Sequence, residues 1–173
     1  PWIPAWGIDL SFAADPISSV FTLISLLIGA VVLVYSTRYL DAGMPPSAYL
    51  SFYLGMALFT VSMVGLVTAD DLMVLFLCWE LTSLASFLLI ARSGRAAFAP
   101  SMRTLLVTFL GGLALLVAVV LVAVRAGTTD LSVILDPEAA GGLWTSDPAF
   151  TTTIGLLIAL AAMTKSAQFP FHS

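Results

Sequence analysis

The sequence predicts an all-α integral membrane protein of five transmembrane helices, the last one broken near Lys165–Pro170. Three observations carry that expectation. Of the 173 residues, 60% are hydrophobic and only 9% carry a charge, against about 25% charged in an ordinary globular domain. The apolar residues gather into runs of about 20, the length of helix that crosses a hydrocarbon core about 30 Å thick. The ionisable residues fall almost entirely between those runs, at Arg38 and Asp41, Asp70 and Asp71, Arg92 to Arg103, and Arg125 to Asp147. A soluble chain of this length has too little interior to hide so much apolar surface.

Residues 1–15 read as an extracytoplasmic or interfacial segment. Trp2 and Trp6 suit the membrane–water boundary, and Ile8, Leu10 and Phe12 alternate with Asp9, Ser11 and Ala13 as in a short extended or hairpin-like piece. Residues 16–173 form a partial transmembrane domain. Asp15 as cap and Pro16 as the first helical residue open a span over 17–37, which Arg38 and Asp41 end. A turn with Gly43, Pro45 and Pro46 leads to a span over 48–69, where Gly55, Ser62 and Gly65 mark close helix packing. Asp70 and Asp71 separate it from a span over 72–91. A loop with Arg92, Arg95, Pro100 and Arg103 precedes a span over 104–124, in which Gly111-Gly112 reads as a packing notch. Arg125 to Pro148 is the one long polar connection, with Trp144 near the interface. The fifth span, 149–168, is helical to Lys165 and turns irregular at Gln168, Phe169 and Pro170, because Pro170 has no N–H for the carbonyl of Ser166 and disfavours a helical Phe169.

Composition also removes whole classes of function. One cysteine, Cys78, cannot close a disulfide within the chain, and one histidine with one cysteine makes the usual transition-metal sites improbable. No P-loop, dinucleotide fingerprint, HExxH or haem-attachment motif is present, so no soluble-type catalytic site, cofactor or metal is expected, and nothing points to nucleic acid. Pro1 begins the sequence without a signal-peptide pattern and Ser173 ends it just past a helix break, so it reads as a piece of a longer chain. The loops with Arg38, Arg92, Arg95 and Arg103 share one side, and the positive-inside rule makes that side of the cell membrane cytoplasmic.

Two charges interrupt the apolar spans. Glu80 stands near the middle of the third, where an acidic side chain costs roughly 2.5–3.5 kcal/mol even on lenient insertion scales, so a partner or a function is expected. Its natural partner is Lys165, the only lysine. Ser83 lies about 60° round the helix from Glu80 and Ser86 further along the same flank, giving a small, hydroxyl-bearing strip able to face water or a neighbouring helix. Burial favours a neutral lysine and a nearby carboxylate a charged one, so small movements of a Glu–Lys pair decide whether the proton stays. The plainer readings are a charge pair that fixes helix register, or a Lys165 that snorkels to the interface from a helix end. The break at Gln168 and Pro170 favours the first idea, since discontinuous membrane helices line cavities and ion sites. His172 beyond the break is a candidate proton relay or simply an interface residue.

Trp79-Glu80-Leu81-Thr82-Ser83, with its continuation to Ile90, and Thr164-Lys165-Ser166-Ala167-Gln168-Phe169-Pro170-Phe171-His172 resemble the antiporter-like membrane subunits shared by respiratory complex I and the Mrp cation/proton antiporters. The wording is most similar to the large A subunit of the Mrp complexes, over nearly the whole chain. The resemblance implies an antiporter-like helical bundle with two inverted five-helix repeats, to which this chain supplies the third through seventh spans. It implies that Glu80 and Lys165 are the proton-transfer pair, with Ser83, Ser86, Gln168, Pro170 and His172 in support. The Trp-Leu-Pro that follows in the family, the next helix and the second repeat are absent from this sequence.

The leading functional expectation is therefore part of a monovalent cation (sodium)/proton antiporter, a transporter subunit working with other subunits of a membrane complex, protons, a cation and the lipid bilayer. The alternative is a proton-pumping membrane subunit of complex I, an NADH:quinone oxidoreductase, or of a related membrane-bound hydrogenase. A third reading is a structural scaffold whose charge pair only sets helix register.

Overall fold

The structure is a computed structural model that describes residues 10–40 and 45–171. Trp2, Trp6, Ile8 and Asp9 of the interfacial segment, Asp41 and Gly43 of the first turn, and His172 lie outside the described residues. The described chain forms α1 (Pro16–Tyr39), α2 (Pro46–Thr68), α3 (Leu72–Ala91), α4 (Arg95–Ala126), a short α5 (Leu131–Leu135) and α6 (Pro148–Lys165). All but α5 are long and apolar enough to cross a membrane. Among the described residues there are two isolated antiparallel bridges, Phe12 with Ala69 and Asp71 with Asp130, and no strand. The described residues form an all-helical architecture, as the sequence predicts.

Local chemistry sets the helix starts. Asp15 accepts from the Ser18 backbone N–H at 2.6 Å while the Ser18 hydroxyl accepts from the Asp15 N–H at 2.8 Å, a reciprocal capping box with Pro16 as the first helical residue. Asp147 caps α6 by accepting from the Phe150 N–H at 3.1 Å, again ahead of a proline. Asp71, only 2% exposed, accepts from the Met73 and Val74 N–H groups at 2.7 and 3.1 Å and from the Thr129 hydroxyl. An aspartate expected to mark a loop thus closes the start of α3, because a helix N-terminus has N–H groups with no partner of their own.

The α3–α4 connection is shorter than the sequence suggests. Only Arg92, Ser93 and Gly94 lie between the helices, and Gly94, at φ +107°, supplies the left-handed backbone that a three-residue reversal needs. Residues from Arg95 onward, expected in a loop, are already helical, and Pro100 sits inside α4. That proline cannot serve the Ala96 carbonyl, but it lies early in the helix, and the hydroxyls of Ser101 and Thr104 donate to the neighbouring Phe98 and Pro100 carbonyls. At about 1.5 Å per residue α4 is about 48 Å long, more than a hydrocarbon core requires.

The chain divides into two compact units. In the unit of Ala13–Thr68 and Cys78–Leu105, small residues carry the helix packing. A side chain begun at Gly29 would meet Thr60 at 3.0 Å, one at Gly55 would meet Leu89 at 2.9 Å, and one at Gly65 would meet the Cys78 sulfur at 2.7 Å. α2 therefore packs against α1 and α3 through positions without bulk. Arg92 ties the α3 end to α2, donating to the Ala48 carbonyl at 3.3 Å with its guanidinium 4.9 Å from the Phe52 ring centre.

The other unit contains Ala69–Leu77 and the described residues of Pro1–Phe12 and Leu106–Ser173. Here the Asp70 N–H donates to Ser11, the Leu72 N–H to Thr129 and the Leu131 N–H to Asp70, at 3.0, 2.8 and 2.9 Å. The long polar connection is ordered by these bonds and by α5. Trp144 donates its indole N–H to the Ile134 carbonyl at 2.9 Å and stacks on Phe150, while Arg125 pairs with Asp147 at 2.9 Å and covers the same Phe150 ring. Ala114, Leu115, Ala118, Val119 and Val122 of α4 and Ile154 and Ala161 of α6 are buried.

Candidate functional site

Glu80 occupies the ninth position of α3, about 12 Å along the axis from Leu72 and about 16 Å from Ala91. This is mid-span. The residue is half-buried and its Oε1 is closed off from solvent, as is the indole nitrogen of Trp79 beside it. Thr82 and Ser83 next to it are buried, at 0% and 5% exposure. The hydroxyl strip expected on this flank is present, but its protons turn inward. The Thr82 and Ser83 hydroxyls both donate to the Trp79 carbonyl, at 2.7 and 3.3 Å, and the Ser86 hydroxyl donates to the Thr82 carbonyl at 2.8 Å. In a span with no water to serve them, serine and threonine protons go to carbonyls three or four residues back. A hydroxyl whose proton goes to a carbonyl acts towards any further partner as an acceptor.

Lys165 is the last residue of α6 and is half-buried. The break comes at once, within the stretch from Lys165 to Pro170 where the sequence predicts it. The Ser166 N–H donates to the Ala162 carbonyl at 2.9 Å, Ala167 adopts φ +49°, and the Gln168 N–H reaches back to the Met163 carbonyl at 3.0 Å. This is a Schellman-type end with alanine where glycine is usual. Pro170 then belongs to a separate turn closed by the Phe171 N–H on the Gln168 carbonyl at 2.6 Å, across a cis Phe169–Pro170 bond. The sequence assigned the break to proline chemistry. The structure assigns the helix end to the left-handed Ala167, with Gln168 as the capping donor and Pro170 in the following turn.

One contact beside Lys165 escaped the sequence reading. Thr164 is 4% exposed, its hydroxyl donates to the Ala161 carbonyl at 2.8 Å, and its side chain lies against the bare Cα of Gly111 on α4. The Gly-Gly pair was legible as a notch, but nothing local in the sequence says which residue fills it.

Comparison with known proteins agrees with this architecture. Residues 69–173 match the family model described as NADH:quinone oxidoreductase/Mrp antiporter, TM, and residues 2–53 match that described as NADH-ubiquinone oxidoreductase (complex I), chain 5 N-terminus. The chain is similar to the putative antiporter subunit mnhA2 of Staphylococcus aureus (strain MRSA252), with 36% identity over 99% of this chain and 21% of that protein. It is 34% identical to the namesake in Staphylococcus haemolyticus (strain JCSC1435), over the same shares. It thus spans about a fifth of the length of the curated relatives it matches. A chain in the structure of the Mrp complex from Dietzia sp. DQ12-45-1b superposes with a TM-score of 0.91 and 51% identity, over 99% of this chain and 18% of that one. With more than half its length matched by the first of these models and its five long apolar helices in place, the chain belongs to the NADH:quinone oxidoreductase/Mrp antiporter transmembrane family.

Proposed function

We propose that this chain is part of a monovalent cation/proton antiporter subunit of the Mrp type, in which Glu80 and Lys165 are the proton-transfer pair. The observation that carries the reading is the 51% identity to a chain of an Mrp complex over 99% of this sequence, which includes both membrane-embedded charges. The chemistry follows from two charges held away from water. A carboxylate close to Lys165 favours the ammonium, and withdrawal of that carboxylate favours proton release, so a change in their separation moves a proton. Ser83 and Ser86 flank Glu80 with oxygen acceptors, while Gln168 and Pro170 belong to the irregular segment beyond Lys165, whose backbone and side chains are able to pass the proton on, and His172, two residues after Pro170 in the sequence, is a candidate relay. The exchanged ion is sodium or another monovalent cation, the partners are further membrane subunits, and the arginine-bearing loops face the cytoplasm.

In the complete, assembled subunit, Glu80→Gln and Lys165→Ala should each abolish cation-dependent proton exchange in sealed vesicles while the complex still assembles. Wild-type exchange in both variants refutes the pair. Exchange that survives joint neutralisation assigns the charges a structural role only. The match of residues 2–53 to a complex I description favours a second reading, a redox-driven pump. Vesicles given an ion gradient but no electron donor separate the two, because only an antiporter exchanges ions under those conditions.

A further inference from the structure

We propose that Gly111 is a positioning residue for Lys165, setting the place of the last turn of α6 through its contact with Thr164. The inference rests on the proton-transfer role given to Lys165 above. The buried face of α6 is Ile154, Ala161 and Thr164, and Lys165 follows directly on that face's last member. A β-carbon added at Gly111 would overlap the Thr164 hydroxyl outright and would stand 2.9 Å from Thr164 Cβ and 3.2 Å from its Cγ2. Rotating the threonine does not solve this. Its hydroxyl would leave the Ala161 carbonyl, and Cβ, which no rotation moves, would still be too close. The close approach is therefore between backbone-near atoms of two packed helices, where relief takes a shift on the order of 1 Å. α6 ends one residue later, so no further helical turn beyond Lys165 is there to absorb the shift. Gly155, on the same helix, has open space where its side chain would begin. A methyl at Gly155 therefore serves as a control that meets no neighbour.

The test uses the assembled antiporter in vesicles, with rates expressed per assembled complex and resolved into the maximal exchange rate and the half-saturating cation concentration. Misplacement of a reacting group by about 1 Å costs on the order of 10²-fold in rate. Gly111→Ala should therefore lower the maximal rate by about that factor with half-saturation unchanged, and Gly111→Ala/Thr164→Gly should recover most of it. Gly155→Ala should behave as wild type. A Gly111→Ala complex at wild-type rate, a loss that Thr164→Gly does not relieve, or a loss confined to half-saturation overturns the proposal. If Gly111→Ala fails to assemble, Thr164→Ala removes the contact without overpacking. It should lower the maximal rate about tenfold, and a wild-type rate again overturns the proposal. Lys165→Ala separates the two levels of inference. If that variant still exchanges, the role of Lys165 fails; if it is dead while Gly111→Ala is unaffected, only the positioning role fails.

Discussion

Gly65 and Cys78 offer a measurable test of how α2 and α3 are held together. The side chain that Gly65→Ala introduces would begin 2.7 Å from the Cys78 sulfur but 3.9 Å from Cys78 Cβ, so the sulfur alone is the obstacle. Overpacking of this kind costs about 1–3 kcal/mol, offset by about 0.5–1 kcal/mol gained when alanine replaces glycine inside a helix. The single variant should lose about 1–2 kcal/mol. Cys78→Ala alone removes the sulfur and leaves a void of about one atom, worth about 1 kcal/mol. Together the new methyl occupies the vacated space with its next neighbour at ordinary contact distance, so the double variant should lie within about 0.5 kcal/mol of wild type, a coupling of about 2–3 kcal/mol. Equilibrium unfolding of the four proteins in mixed micelles by added SDS measures the cycle. Additive losses, with coupling below about 0.5 kcal/mol, would refute the close approach at Gly65.

Three further outcomes follow from the termini of the helices. Asp15 and Asp147 are held below the usual carboxylate range, Asp15 by the Ser18 N–H and Asp147 by the Phe150 N–H and then by Arg125. A depressed folded value means that their stabilisation is complete above the ordinary aspartate pKa and is lost as pH falls through the folded one, so acid unfolding should flatten in Asp15→Asn/Asp147→Asn, as followed by helical circular dichroism against pH. Ala167→Gly should stabilise the end of α6 by about 0.5–1 kcal/mol, because the left-handed φ of +49° strains alanine and suits glycine; a raised unfolding midpoint checks it, and a lowered one contradicts the capping geometry. Asp71→Ala should cost about 2 kcal/mol by stripping the start of α3 of its buried acceptor, whereas Asp71→Asn, which keeps an oxygen there, should cost less than half of that in the same SDS titration.

Much of the helix plan was legible in residue order, and the reasons are local. Apolar run length defines a span, and the Asp-Pro pairs at Asp15-Pro16 and Asp147-Pro148 announce the starts of α1 and α6 because capping involves residues within one turn. Gly55 and Gly65 were legible as packing positions for a similar reason. Three features were not. Arg95 to Arg103 looked like a loop because charge and proline are loop signals, yet a proline early in a helix forfeits only one carbonyl partner. Pro170 drew attention away from Ala167, since no propensity argument places alanine in the left-handed region. Thr164 was overlooked because its role depends on Gly111, 53 positions earlier, and pairing between distant helices leaves no trace in a single sequence. The motif around Glu80 carried its position but not the direction of the neighbouring hydroxyl protons, which only the folded backbone decides.

The length of α4 decides where its charges fall. Arg103 and Arg125 are both on this helix, about 33 Å apart along its axis, close to the thickness of an acyl layer. The 21 residues between them carry no ionisable side chain, so α4 can cross a hydrocarbon layer with its own charges at the two margins and none to desolvate on the way.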